Sequence, residues 1–285
     1  MNINPNPPVR VIIIAIGYVP TDKTESSILY LNWLLIFSDI TRGATCSGKT
    51  TLAKHLKTCL YDSIIIHQDV CCPLLLSPQE LIPLHPEYRV QDWDDAVGAI
   101  EWPQLASFLE GIGYTGILPD THKSHDHLNE NKPIPVDSDI LSHWRIESEK
   151  LVRDHLEKYG ERIVWAIVDG FLMYWDERVI SNLDLHVLMR VPVSVLKQRR
   201  HERHGYHTAE GSLWRDPPNY WEQIVYPAYV RAHQHLFEGG DVENGKLTGK
   251  VPGLILWEAT EVDVKDIVDK TMETVLKFSR PTEPN

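Results

Sequence analysis

The sequence predicts an α/β fold with helices on both faces of a mostly parallel sheet, and three observations predict it. Short β-branched runs of the kind buried on both sides of a parallel sheet recur at 9–16, 63–66, 163–168 and 184–190. Between them lie stretches with helical spacing, such as Leu52, Leu56 and Leu60. Ahead of the first of these stands a glycine-bounded octet, 43–50, of the type that links a strand to a helix around a phosphate.

Composition narrows the class. The chain has 285 residues with 28 Lys+Arg against 40 Asp+Glu, a net charge of −12; 42% are hydrophobic and 24% charged, which suits a packed core and excludes global disorder. The length fits a single domain, 1–285, with 1–8 as a loose Pro/Asn-rich tail. An acidic balance argues against binding a nucleic-acid backbone, which needs a broad basic face. The 4 cysteines show no metal-ligand spacing and fit a reducing compartment without a disulfide framework. The longest apolar runs, 11–16 and 29–37, fall well short of the roughly 20 residues of a membrane span. The first lacks the flanks of a signal peptide. The expected setting is the cytosol, with access to the nucleus, and neither membrane nor nucleic acid as partner. The oligomeric state is left open.

The elements follow in order. Residues 9–16 form the first buried strand and 50–60 the first helix. After the strand at 63–66, residues 71–93 carry Pro73, Pro78, Pro83 and Pro86 and read as irregular. A short helix is expected at 102–109 and a polar surface excursion at 119–137. A long amphipathic helix spans 139–159 with Asp139 as cap, and strands follow at 163–168 and 184–190. A basic helix over 193–204, a helix over 220–237, a late strand at 254–258 and a final helix at 262–278 complete the alternation.

The strongest motif is the octet, with two glycines five apart followed by Lys and Thr, the pattern of a phosphate-binding loop. Glycines let consecutive N–H groups face phosphate oxygens, and the helix behind adds the positive end of its dipole. The nucleotide cradle is thus Gly43, Ala44, Thr45, Cys46, Ser47, Gly48, Lys49, Thr50 and Thr51. Lys49 supplies a mobile charge and the Thr50 hydroxyl a Mg²⁺ ligand. Such a loop should follow the first strand directly, yet 18–42 intervene between Gly17 and Gly43. Removing them joins strand and loop seamlessly. The segment is read as a loop extruded at the sheet edge or a translated intron. The rival is that 31–37 is itself the strand entering the loop.

A kinase acting on a hydroxyl needs a carboxylate near the transferring phosphoryl group, and in a parallel sheet it belongs at a strand's C-terminal end. Asp69 follows 63–66 in this way, and Asp169 holds the equivalent place after 163–168. Further features accompany them: His67-Gln68-Asp69, Gln91-Asp92-Trp93-Asp94, Val168-Asp169-Gly170-Phe171, the run from Leu196 through Arg199 and Arg200 to Arg203, and the run from Trp214 and Arg215-Asp216 to Tyr220. In this order the set resembles the nicotinamide riboside kinases, especially the fungal form, relatives of uridine kinases among P-loop kinases.

That resemblance implies an ATP- and Mg²⁺-dependent phosphorylation of the 5′-hydroxyl of nicotinamide riboside, a salvage step toward NAD. It implies Asp69 as base and Mg²⁺ neighbour and Thr50 as Mg²⁺ ligand. Trp93 and Asp94 would hold the nucleoside, Arg200 the substrate, and Arg199 and Arg203 ATP from a small Arg-bearing lid. A flat cationic ring suits an aromatic face, and a vicinal diol suits a carboxylate. A uridine/cytidine kinase is the alternative within the class, and a catalytically impaired nucleotide-binding protein the alternative outside it.

Lys197, Arg199, Arg200 and Arg203 against Glu202 make a basic stretch in an acidic chain, placed where a lid over phosphates would be. In one place the sequence departs from the family: after Asp69 come Val70, Cys71 and Cys72, where the family has a second Asp and then a Phe. His122, Asp126, His125 and His127 are read as a polar surface loop rather than a metal site.

Overall fold

The computed structural model describes residues 7–21, 47–68, 82–120, 122, 134–202, 206–207 and 213–281. The strands are β1 (Val9–Thr21), β2 (Ser63–His67), β3 (Arg162–Asp169), β4 (Leu185–Pro192), β5 (Tyr206–His207), β6 (Leu213–Trp214) and β7 (Ile255–Glu258). Five of them form a parallel sheet in the order β2-β3-β1-β4-β7, while β5 and β6 pair antiparallel on their own. The principal helices are α1 (Lys49–Cys59), α2 (Trp102–Thr115), α3 (Ser138–Tyr159), α4 (Val193–Glu202), α5 (Tyr226–His233) and α6 (Val264–Ser279). This is the expected α/β architecture. Among the described residues no helix is long and apolar enough to cross a membrane.

Both faces of the sheet are covered because β1 is apolar at every position from Val11 to Ile16. Side chains alternate along a strand. Val9 and Ile13 point to the C-terminal end of α2, near Gly116 and Gly113. Ile12 is in register with Trp165, whose indole N–H donates to Ser279 Oγ on α6 at 3.0 Å, so the other face meets α6. There α1 packs against α3 and α6, and Leu52, Leu56, Val268, Met272 and Val275 close the core over Ile12, Ile14 and Ile16.

Several boundaries differ from the sequence reading, each for a physical reason. The helix expected at 102–109 runs on to Thr115 despite Gly111 and Gly113, because Ile112 is buried, and it stops at Gly116 in a left-handed conformation (φ 62°). The cap of α3 is Asp137, whose side chain accepts the Asp139 N–H, rather than Asp139. The helix expected at 220–237 divides into a π-helical turn (Trp221–Val225), α5 and a 3₁₀ turn (Gln234–Leu236). Pro227 has no N–H for the α ladder at this junction, and the Tyr226 N–H reaches Trp221 O instead. The tail is tied down by residue 8, since Pro8 O accepts the Arg162 N–H at 2.8 Å.

The largest correction concerns β1, expected to end at Gly17. It continues to Thr21, beyond the end of β3, because β4 still offers a ladder: Tyr18 to Thr21 pair with Met189 to Pro192. Tyr18 and Val19 are buried, Tyr18 packs on Tyr229 with ring centroids 4.9 Å apart, and the Tyr229 hydroxyl donates to Tyr18 O at 2.7 Å. The first residues of the supposed insertion are therefore strand and core. Residues 22–42 lie outside the described residues.

In this order β1 stands between β3, which leads outward to β2, and β4, which leads outward to β7. A crevice opens at such a switch point beyond the C-terminal ends of the strands, the general ligand position in open parallel sheets. Tyr18→Ala is expected to cost about 3 kcal/mol of unfolding free energy, as aromatic truncation in a core does. Urea titration measures it, and a silent substitution would contradict the extended strand.

Candidate active site

The site begins at the first turn of α1. Gly48 precedes the helix in a left-handed conformation (φ 94°) that a side chain would strain, and Ser47, Gly48 and Lys49 lead directly into it. The helix N-terminus lies at the strand ends. Lys49 and Thr50 meet there on one carboxylate, Asp169, the last residue of β3. Thr50 Oγ1 donates to Asp169 Oδ2 at 2.7 Å, and Lys49 Nζ lies 3.3 Å from Oδ1. His67, in register with Asp169 at the end of β2, places Nδ1 3.2 Å from Oδ2.

Asp169 is buried, which alone would raise its pKa. The charge of Lys49, the bond and charge of His67, and the Thr50 hydroxyl outweigh that and hold the carboxyl well below the usual range. It is therefore ionised at any physiological pH. Its Oδ1 has the Lys49 ion pair but accepts no hydrogen bond among the described residues, which leaves it suited to meet a ligand.

Gln68, next to His67, fixes the adjoining loop. Its Oε1 accepts the N–H groups of Phe171 and Leu172 at 2.9 and 3.0 Å, tying the ends of β2 and β3 together. Gly170 lies close under it: a Cβ there would stand 2.7 Å from Gln68 Oε1 and would also strike Met173 Sδ. Asp69 follows Gln68 in sequence. Asp69, Gly43, Ala44, Thr45, Cys46, Arg203, the 70–76 loop, His125, Asp126 and His127 lie outside the described residues.

Two adjacent arginines on α4 turn to two different groups of residues, since successive helical residues diverge by about 100°. Arg199 is buried and lines a cavity with Ser47, Gly48, Thr51, Met189 and Ala259, directly beside the start of α1. Arg200 turns to side chains of 91–95 and 214–220. Its Nε and Nη2 donate to Asp216 Oδ2 and Oδ1 at 2.5 and 3.1 Å, and Nη1 lies 3.7 Å from Asp94 Oδ1. The guanidinium also sits 5.8 Å from the Tyr220 ring centre.

Aromatic side chains belong to this second group. Trp93 and Trp214 meet edge to face at 5.9 Å, and Trp214 meets Tyr220 at 5.8 Å. The Tyr220 hydroxyl donates to Gln91 O at 2.9 Å and accepts the Trp93 N–H at 3.3 Å, which sets the Trp93 backbone. Trp214 Nε1 donates to Asp216 Oδ1 at 2.9 Å. Buried polar atoms nevertheless remain without a hydrogen bond among the described residues, namely Trp93 Nε1 and Asp94 Oδ2. These atoms can pair with a bound group. Burial, with the charges of Asp216 and Asp92 partly offset by Arg200, pushes Asp94 up to about 6.

The structure thus gathers Ser47, Gly48, Lys49, Thr50, Thr51 and Arg199 around the start of α1 and brings Trp93, Asp94 and Arg200 together in a second group, with Arg199 and Arg200 adjacent on α4. Sequence reasoning recognised Asp169 only as a second strand-end acid and gave it no role at the centre. Asp216, Trp214 and Tyr220 appeared only within a motif. The signal for Asp169 was its place at a strand end; the pairing of Asp216 with Arg200 had no signal in spacing.

Asp169→Asn removes the buried charge on which Lys49 and His67 converge and is expected to destabilise the protein by about 3 kcal/mol. Thermal unfolding without nucleotide measures this, and an unchanged midpoint would show that the pair contributes nothing to the fold.

The chain is similar over most of its length to known proteins. No family model matches the chain. A nicotinamide riboside kinase of Schizosaccharomyces pombe is 33% identical over 242 residues, covering 82% of this chain and 94% of that protein. One from Eremothecium gossypii is 27% identical over 233 residues, covering 82% and 90%. One from Saccharomyces cerevisiae is 31% identical over 204 residues, covering 70% and 79%. The parallel sheet, the lysine and threonine on a strand-end carboxylate and the acidic aromatic pocket beyond them occur in a chain that matches these proteins over most of its length, and the chain belongs to the nicotinamide riboside kinase family.

Proposed function

We propose that this protein phosphorylates the 5′-hydroxyl of nicotinamide riboside with ATP. The observation that carries this reading is that α4 links the two groups: consecutive arginines reach the cavity beside the start of α1, through Arg199, and the Trp93–Asp94 group, through Arg200. The family relationship supplies the substrate class.

Lys49 and the N–H groups at the start of α1 hold the phosphates, and Arg199 closes over the cavity beside them. The cavity at Ser47, Thr51, Met189 and Ala259 receives the nucleotide base. Trp93 and Trp214 offer π faces to a pyridinium ring, and Asp94 accepts from the ribose diol while balancing the ring's charge. Asp69 orients the 5′-hydroxyl and takes its proton. Alignment of the two reactants and fixed positive charge at the transferring group supply the rate enhancement.

The Thr50 hydroxyl and the Asp169 carboxylate with its unfilled Oδ1 are hard oxygen donors of the kind Mg²⁺ takes beside substrate phosphates, with Asp69 as a second carboxylate. When bound, Mg²⁺ would neutralise charge on the phosphates. The cytosol is the setting we assign, from composition alone.

A coupled ADP-release assay with nicotinamide riboside, nicotinic acid riboside and uridine tests the reading. Riboside-dependent release is expected, with Asp169→Ala lowering kcat by about 100-fold or more. Release with uridine alone would overturn the substrate, and ATP binding without riboside-dependent release would overturn the activity.

The pH dependence follows from Asp94. Its pKa is raised to about 6, so the carboxylate that binds the cation is ionised above that pH and lost below it. kcat/KM for nicotinamide riboside should fall about tenfold per pH unit below about 6. The same raised pKa means that burying the ionised form weakens the fold as pH rises through 6. Asp94→Asn should therefore remove the acid limb, raise KM and increase the unfolding midpoint at pH 8. A midpoint that falls instead would contradict this account.

A further inference from the structure

We propose that Asp216 is a positioning residue for the riboside pocket: its two-point grip on Arg200 keeps that guanidinium from closing on Asp94 and so leaves the Asp94 carboxylate open to substrate. The inference rests on the assignment of the Trp93–Asp94 pocket to the riboside. Arg200 stands between two carboxylates with 8% of its side chain exposed. A guanidinium can present its planar fork to only one of them at a time. The structure shows which: Asp216 receives Nε and Nη2 at 2.5 and 3.1 Å, and Asp94 is left at 3.7 Å, beyond a hydrogen bond. The consequence is visible on Asp94, whose Oδ2 is buried and accepts no hydrogen bond among the described residues.

A second contact ties the same carboxylate to the aromatic wall. Asp216 Oδ1 accepts Trp214 Nε1–H at 2.9 Å, and Trp214 stands edge-on to Trp93 at 5.9 Å. One surface carboxylate, carried on the turn before Tyr220, therefore sets both the cation and the ring that border the substrate. It also acts at a distance. The charged groups that bear on Asp94 are Arg200, which favours its ionised form, and Asp216 and Asp92, which oppose it. Asp95, paired with Arg231 at 3.9 Å, and His85, which bears on Asp92, stand further out.

Replacing the Asp216 charge changes two things in the same direction. Arg200 is released to pair with Asp94, and one repelling neighbour is removed. Both favour ionised Asp94, and both use up the acceptor that substrate needs. A residue that merely props the fold would not move the titration of a different side chain.

The test compares wild type with Asp216→Asn in steady-state kinetics across pH, using nicotinamide riboside at saturating ATP. KM is expected to rise about tenfold, with the loss in KM rather than kcat, and the acid limb of kcat/KM to move at least about half a pH unit lower. An unchanged KM, or a raised KM with the limb unmoved, would overturn the proposal. ATP binding to the same variant reports whether it is folded. Should Asp216→Asn fail to fold, Asp216→Glu keeps the charge but displaces the fork by one methylene; KM should then rise with the limb in place, and an unchanged KM would overturn the proposal. Asp94→Asn separates the two readings. If it leaves KM unaltered, the riboside pocket itself is wrongly assigned; if it raises KM while Asp216→Asn does not, only the role of Asp216 fails.

Discussion

The structure turns on one buried carboxylate, Asp169, and on the cations and hydroxyl that keep it charged. A carboxylate removed from water is unstable unless its lone pairs are met. Lys49, Thr50 and His67 meet them, and they come from two places in the chain: the first turn of α1 for the first two, and the end of β2 for the third. The ion pair therefore binds helix to sheet, and the parallel register of β2 with β3 brings His67 level with Asp169. Gln68 repeats the connection one residue further on, through the Phe171 and Leu172 N–H groups. The fold and the phosphate centre share these contacts, so the site cannot be loosened without loosening the end of the sheet.

From that centre the crevice divides along α4. The angle between neighbouring helical residues sends Arg199 to the cavity beside Gly48 and Arg200 to the pocket of Trp93 and Asp94. A rotation or shift of this one helix would move both arginines together. Coupling of nucleotide and riboside sites through a single rigid element needs no chain of intermediates.

Much of this was legible in the sequence. Buried-strand runs marked four of the five strands of the parallel sheet, because a strand covered on both faces has few polar positions to confuse the pattern; the edge strand β7 was placed only as a late strand. The octet ending in Lys49 and Thr50 pointed to the start of α1, where both side chains meet Asp169. What escaped depended on tertiary partners. β1 was expected to stop at Gly17, and continues because β4 extends past that point and Tyr229 covers Tyr18. α2 passes two glycines because Ile112 is buried against the sheet, a gain larger than the roughly 1 kcal/mol each glycine costs. Asp169 looked like any strand-end acid, and only its three partners distinguish it. Asp216 lies sixteen positions from Arg200, a separation with no periodic meaning, so the pairing exists only in three dimensions.

The net charge of −12 gains a different meaning from the arrangement of the site. The crevice is electrically polar along its length. Lys49, Arg199 and the start of α1 make one end positive, while Asp92, Asp94 and Asp216 against Arg200 leave the other negative. On the proposed assignment of the two ends, a polyanionic nucleotide and a cationic riboside would be drawn to opposite ends, each repelled from the other's place. The field acts before any shape is read and sorts the two reactants by sign, with their reactive ends meeting at the strand ends between. For such a site an acidic chain is suitable, because the substrate that must be recognised is itself a cation and the positive charge need only be local.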